Sequence, residues 1–200
     1  DTATLNIHIY PYILTDFSIE YTNGCSPFEA EIINNSIGVN DYEWDFGDGT
    51  TSGISFDTLL HTYHNDSTVP VSYTISLYGE NVYSCADSIN RTITVFPEVI
   101  ADFEYDTLQG CSPLLINFTN NSQNASSYYW DFGDGYNSNA ENPSHVFLNP
   151  GSADTTYQVM LIVSSPYYCE DTAYITVEVF AQPDASFNLS TDAGCGPLEI

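Results

Sequence analysis

Lysine is absent from this chain of 200 residues, and Arg91 is its one strongly basic side chain. Against that single cation stand 27 aspartates and glutamates, for a formal net charge of −26. Phosphate neutralisation needs Lys and Arg, so the composition excludes nucleic acid as a partner. Anionic membrane surfaces are excluded on the same ground. Long apolar runs are lacking too: no stretch of about 20 residues could cross a bilayer, so no membrane insertion is expected. An initiator methionine and a signal-peptide pattern are both missing, which reads as a mature secreted piece or a window of something longer. What is present is largely apolar. Hydrophobic residues make up 42% of the chain, with 16 Tyr, 11 Phe and 2 Trp. That is enough to fill real cores, which separates the chain from an acidic disordered tail.

Internal repetition is the strongest signal. Residues 16–36 read DFSIEYTNGCSPFEAEIINNS, residues 102–122 read DFEYDTLQGCSPLLINFTNNS, and residues 186–200 read SFNLSTDAGCGPLEI. Cys25, Cys111 and Cys195 recur at spacings of 86 and 84, Trp44 and Trp130 at 86, His61 and His145 at 84, and Cys85 and Cys169 at 84. The expected layout is the last strand of a preceding repeat (1–12), two whole repeats (13–97 and 98–182) and the start of a further one (183–200). A period near 85 residues is too long for a solenoid unit and suits a small sandwich domain.

Within a repeat, period-2 alternation dominates and helical periodicity is missing. Phe17, Ile19 and Tyr21 alternate, and Asn23-Gly24 reads as a turn. Ala30 and Ile32 alternate with Glu29 and Glu31. Tyr42, Trp44 and Phe46 face one way, with Glu43 and Asp45 on the other side. Six or seven short strands per repeat predict an all-β chain of tandem Ig-like antiparallel β-sandwiches.

The tract W-D-F-G-D-G occurs twice. It is followed by His61-Thr62-Tyr63 or His145-Val146-Phe147, and then by Y-T-I-S-L or Y-Q-V-M-L. These motifs resemble the PKD (polycystic kidney disease) domain family over nearly all of the chain. The pairing of G-C-x-P with a later C-x-D-[ST] is similar to the tandem PKD repeats of large secreted Bacteroidetes surface and adhesin proteins. The resemblance implies a non-catalytic extracellular module at the cell surface. Such a module serves as a stiff spacer, stalk or filament in adhesion or motility, as a carbohydrate- or protein-binding array, or as an accessory region of a secreted hydrolase. Expected partners are neighbouring repeats of the same chain, with self-assembly into filaments or contact with surface polysaccharide as further options.

Two carboxylates three residues apart invite a catalytic or metal reading, so Asp45, Asp48, Asp131 and Asp134 need weighing. The turn itself explains them better. Asp48 and Asp134 lie between glycines, where a side chain accepts backbone N–H bonds, while Asp45 and Asp131 alternate outward from Trp44 and Trp130. No catalytic residue is expected, and no cofactor beyond Ca²⁺. The calcium candidates are Asp16 and Asp102 at the repeat junctions, although Ser186 replaces that aspartate in the third copy.

Five cysteines in an acidic, lysine-free chain point to an oxidising compartment. The simplest pairing is Cys25–Cys85 with Cys111–Cys169. In an Ig-like sandwich, however, those positions lie at opposite ends, a strand of ~20 Å apart, whereas a disulfide needs Cα atoms within ~7 Å. An interdomain Cys25–Cys169 bridge is therefore favoured, with Cys111 pairing beyond Ile200 and Cys85 before Asp1. Two modification patterns complete the reading. Seven N-x-[ST] sequons occur, at Asn34, Asn65, Asn90, Asn117, Asn120, Asn124 and Asn188, most of which would be idle in a bacterium. Seven aspartates precede a hydroxyl residue, at Thr2, Thr58, Ser67, Ser88, Thr107, Thr155 and Thr172. The second pattern resembles the Asp-[Ser/Thr]-apolar acceptor of Bacteroidetes O-glycosylation.

Overall fold

Strand alternation governs both repeats in a computed structural model that describes residues 4–5, 7–183 and 185–186. The first repeat contains β1 (Phe17–Ile19), β2 (Asn23–Cys25), β3 (Phe28–Asn34), β4 (Asp41–Asp45), β5 (Thr51–Ser52), β6 (Thr58–Tyr63), β7 (Val71–Glu80) and β8 (Ala86–Phe96). They form a three-stranded sheet, β1-β3-β6, and a five-stranded sheet, β2-β8-β7-β4-β5. The second repeat contains β9 (Phe103–Tyr105), β10 (Gln109–Cys111), β11 (Leu114–Asn120), β12 (Ser127–Asp131), β13 (Asn137–Ser138), β14 (Ser144–Phe147), β15 (Thr155–Ser164) and β16 (Glu170–Phe180). Its sheets, β9-β11-β14 and β10-β16-β15-β12-β13, repeat the same order. The chain is all-β, and its domains are β-sandwiches.

The inward residues of one sheet meet those of the other. Phe17, Ala30 and Ile32 come from the smaller sheet, and Trp44, Ile75, Leu77, Ile93 and Val95 from the larger; together they build one buried cluster. The outward positions of the same strands carry Glu29, Asp45 and Thr74, which are exposed. This in-out pattern is the ordinary solution for an antiparallel sheet with one wet face.

One strand departs from the sequence expectation. Asn23-Gly24 does not turn the chain. It lies in β2, which pairs parallel to β8 with Gly24 opposite Val95 and Cys25 opposite Phe96. A parallel partner some 70 residues away outweighs the local turn preference of Asn-Gly. Gly24 is required there for space, since a Cβ would lie 2.1 Å from the Phe28 ring. Tyr21, expected to continue β1, is exposed and outside it. Residues 7–13, expected in part as a last strand, pair with no strand here. Residues 187–200 lie outside the described residues, and with them most of the expected further repeat.

By contacts the chain divides into two compact units. One comprises Asp1–Ala101, Ser122–Ser127 and Val163–Asp171, and the other Asp102–Asn121, Tyr128–Ile162 and Thr172–Ile200. Within the first unit, the single cation joins the two sheets of the first repeat. From β8, Arg91 donates through Nη2 to Asp16 Oδ1 at 2.9 Å and through Nε to the Phe17 carbonyl. Its guanidinium also lies 5.4 Å from the Phe17 ring centroid.

Candidate functional site

The repeated W-D-F-G-D-G tract builds the same structure twice. Alternation along β4 buries Trp44 and turns Asp45 outward, and the next residue, Phe46, is buried again. The chain then reverses through Gly47 at φ 77°, where an added Cβ would meet the Thr74 carbonyl oxygen at 2.4 Å. Both conformation and space thus demand glycine. Asp45 Oδ1 accepts the Gly47 N–H at 2.8 Å, and Asp48 Oδ1 accepts the N–H and hydroxyl of Thr50 at 2.9 and 2.6 Å. The second copy matches: Asp131 Oδ1 accepts from Gly133 at 2.9 Å and Asp134 Oδ1 from Tyr136 at 3.1 Å.

The other oxygen of each turn aspartate reaches a histidine. Asp48 Oδ2 lies 2.7 Å from His61 Nε2, and Asp134 Oδ2 lies 2.7 Å from His145 Nε2. Each imidazole stacks on the phenylalanine of the turn: Phe46 on His61 at 4.2 Å and 12°, Phe132 on His145 at 4.0 Å and 0°. Tyr63 closes the first turn, its hydroxyl donating to the Phe46 carbonyl at 3.1 Å. The second copy has Phe147 there, edge-on to His145 at 4.6 Å.

This geometry clamps a turn to a strand. A catalytic relay needs the carboxylate on one ring nitrogen and the nucleophile on the other. Here Asp48 and the Thr50 hydroxyl, 3.4 Å away, both approach Nε2. Sequence reasoning noted that His61 and His145 recur after the turn motif but did not pair them with Asp48 and Asp134. The signal was there, because each histidine recurs with the same turn.

Burial pushes the Asp48 carboxyl up, but the hydrogen bonds from Thr50 and His61 and the nearby imidazole outweigh it and hold the group below its ordinary value. A depressed folded-state value adds stability above the unfolded value, near 3.9, that is lost as pH falls through the folded value. Asp87, which accepts the backbone N–H and hydroxyl of Thr15, is lowered as well, and so has the same sign. Acid titration of stability should therefore be shallower below pH ~4 in Asp48→Asn than in the unaltered protein. Comparing the two cancels the general relief of charge repulsion, and parallel curves would remove the clamp from the acid response.

A second pair of repeated residues was missed by sequence reasoning. Asn65 and Asn149, 84 apart, are buried polar anchors. Asn65 Nδ2 donates to the carbonyls of Val69 and Val95 at 2.9 and 2.7 Å, and its Oδ1 accepts from Ser67 N at 2.9 Å. Asn149 makes the equivalent bonds to Ala153, Val179 and Gly151. The Asn65 sequon is thereby occupied: a sugar on Nδ2 would replace one of its two hydrogens and break at least one of these bonds.

The remaining candidates fall at separate places. Asp16 pairs with Arg91, while the Asp102 backbone carbonyl accepts from Asn121 at 2.8 Å. Among the described residues no group of three or more His, Cys, Asp or Glu side chains could hold a metal. Of the hydroxyl positions, Thr58 and Ser88 are exposed, and Thr107, Thr155 and Thr172 half-buried. Ser67 is committed to Asn65 and Val69 through bonds of 2.6 and 2.7 Å. Thr2, Asn188 and Cys195 lie outside the described residues. Cys25 and Cys169 are joined by a disulfide with Cα atoms 5.6 Å apart. The pairings Cys25–Cys85 and Cys111–Cys169 do not form, and Cys85 and Cys111 carry free thiols.

Comparison with known proteins bears on the second repeat most directly. The family described as "PKD domain" matches residues 100–179. The PKD1 domain of Vibrio cholerae metalloprotease PrtV is 28% identical, at a TM-score of 0.35, over 42% of this chain and 98% of that one. The PKD1 domain of Vibrio anguillarum Epp is 27% identical, also at a TM-score of 0.35, over 42% and 96%. Fibronectin(III)-like modules of Clostridium thermocellum CbhA are 10% identical, at a TM-score of 0.36, over 88% and 100%. No curated protein matches the chain. The segment 100–179 belongs to the PKD domain family, and the first repeat is built on the same strand order and the same aspartate–histidine turn.

Proposed function

We propose that this chain is a structural, non-catalytic repeat region of a large extracellular protein, a stiff spacer or stalk in cell-surface adhesion or motility. PKD domains and disulfides are typical of extracellular proteins. The observation that carries the reading is the Cys25–Cys169 bond, which links positions 144 residues apart in two different repeats. It makes a covalent brace where a flexible tether would need none. The acidic surface suits the same role, because its charges repel neighbouring molecules and keep the chain soluble.

Force spectroscopy on the full chain, pulled from its ends, tests this. While the bond is intact, the span between the cysteines, a sequence separation of 144, is withheld from extension. Reduction should release ~50 nm more chain, at ~3.5 Å per residue. A spacer keeps its length under load, so equal extension of the oxidised and reduced chains would overturn the reading.

A further inference from the structure

We propose that Cys111 with Phe180, and Cys85 with Tyr83, are the two open halves of a head-to-tail junction, each shaped to receive a further repeat of this kind along the same polypeptide. The assignment stands on local geometry and goes beyond the spacer reading without depending on it.

The closed junction is present in the first compact unit. At the end of β2, Cys25 lies opposite Phe96 in the parallel register and is bonded to Cys169. Two residues before Cys169, Tyr167 stacks on Phe96 with ring centroids 4.7 Å apart and planes 5° from parallel. One half of the junction is thus a pair of adjacent parallel strand ends that present Cys and Phe. The other is a hairpin that presents Tyr and Cys.

Cys111 reproduces the strand half. In β10 it lies opposite Phe180 in the same parallel register. Ser112 N donates to the Phe180 carbonyl at 3.1 Å, as Ser26 N does to Phe96 at 3.0 Å. Gly110 and Gly24 share a reason for being glycine, since a Cβ would strike Leu114 at 2.7 Å or Phe28 at 2.1 Å. The Cys111 residue is exposed.

Cys85 reproduces the hairpin half. Asn81 N donates to the Cys85 carbonyl at 3.0 Å, as Ser165 N does to Cys169 at 2.9 Å. Ser84 and Tyr168, the residues just before each cysteine, share the left-handed conformation, at φ 57° and 64°. Tyr83 stacks on Tyr10 with centroids 4.8 Å apart. Tyr10 stands 86 residues before Phe96, so the aromatic seat of this junction is already filled from the preceding linker. The strand that would bring the missing cysteine belongs beside residues 8–10, which pair with no strand. Free thiols alone would say little. Here the repeat-equivalents of Cys111 and Cys85 are Cys25 and Cys169, which are bonded to each other.

Closure joins a strand cysteine to the hairpin cysteine of the following repeat. Two thiols lose two protons and two electrons to form the S–S bond, and a small-molecule disulfide such as oxidised glutathione accepts them, leaving as two thiols.

The test lengthens the full chain by a second copy of its own residues 98–182, inserted after Gln182, folded in glutathione buffer and mapped without reduction. Cys111 should be found bonded to the hairpin cysteine of the inserted copy, with Cys25–Cys169 retained and Cys85 open to alkylation. Adding Phe180→Ala should slow that new bond several-fold and leave Cys25–Cys169 unchanged. Cys111→Ser, checked for an unaltered far-UV spectrum, should free the inserted hairpin cysteine. A bond within the inserted copy, a Cys85–Cys111 bond, or alkylation of Cys111 in the folded lengthened chain would each overturn the proposal.

Discussion

Trp44→Ala and Trp130→Ala should each cost about 3–5 kcal/mol of unfolding free energy, read by chemical denaturation followed by far-UV circular dichroism. Both indoles are fully buried. Trp44 packs edge-on to Phe17 at 5.3 Å and stacks on Phe56 at 4.8 Å. Trp130 meets Phe103 at 4.9 Å and Phe118 at 5.3 Å. Replacement by phenylalanine should separate the two sites. Trp130 Nε1 donates to the Ala140 carbonyl at 3.0 Å, whereas Trp44 Nε1 is buried with no partner among the described residues. Removing the second donor relieves a desolvated group, while removing the first strands an acceptor, a difference of about 1–3 kcal/mol. Trp44→Phe should therefore be the milder change, and the opposite order would contradict this account of the two indoles.

Cys25→Ser should be at least as damaging. Its bond closes a loop spanning 144 residues, and removing it frees the unfolded chain. The chain-entropy relation puts that loss at about 5 kcal/mol for a loop of this size. Treating the unaltered protein with a thiol reductant should lower the melting temperature to that of the variant. Cys85→Ser and Cys111→Ser, which break no bond in this chain, should melt close to the unaltered protein. A Cys25→Ser protein that melts with the parent would show that the bridge braces nothing.

Much of this fold was legible because its signals are local and doubled. Alternation around Trp44 and Trp130 predicts which side chains enter the core, and the recurrence of every motif sets the length of the repeat. Pairing across the chain was less legible. Asn23-Gly24 carries turn chemistry, yet its strand is fixed by β8, whose parallel register no local pattern announces. The Asp48–His61 clamp spans 13 residues across a reversal, so neither residue predicts the other alone. Their joint recurrence as Asp134 and His145 is the clue that one copy could not provide. The Asn65 sequon gave no hint of a buried anchor, because three residues do not encode burial. The structure instead commits both of its donor hydrogens to backbone carbonyls.

The solitary Arg91 has one further consequence, for proteolysis. A trypsin-like protease, which cuts after lysine or arginine, finds one site in the whole sequence. That site lies within β8, opposite Ile75 in a ten-pair ladder with β7, and its side chain is held by Asp16 and the Phe17 carbonyl. Cleavage must wait until the ladder opens, so the rate of that one cut measures how often it does. Even then the protein does not come apart. Cys25 lies on one fragment and Cys169 on the other, and the bridge between them leaves a nicked molecule in one covalent piece.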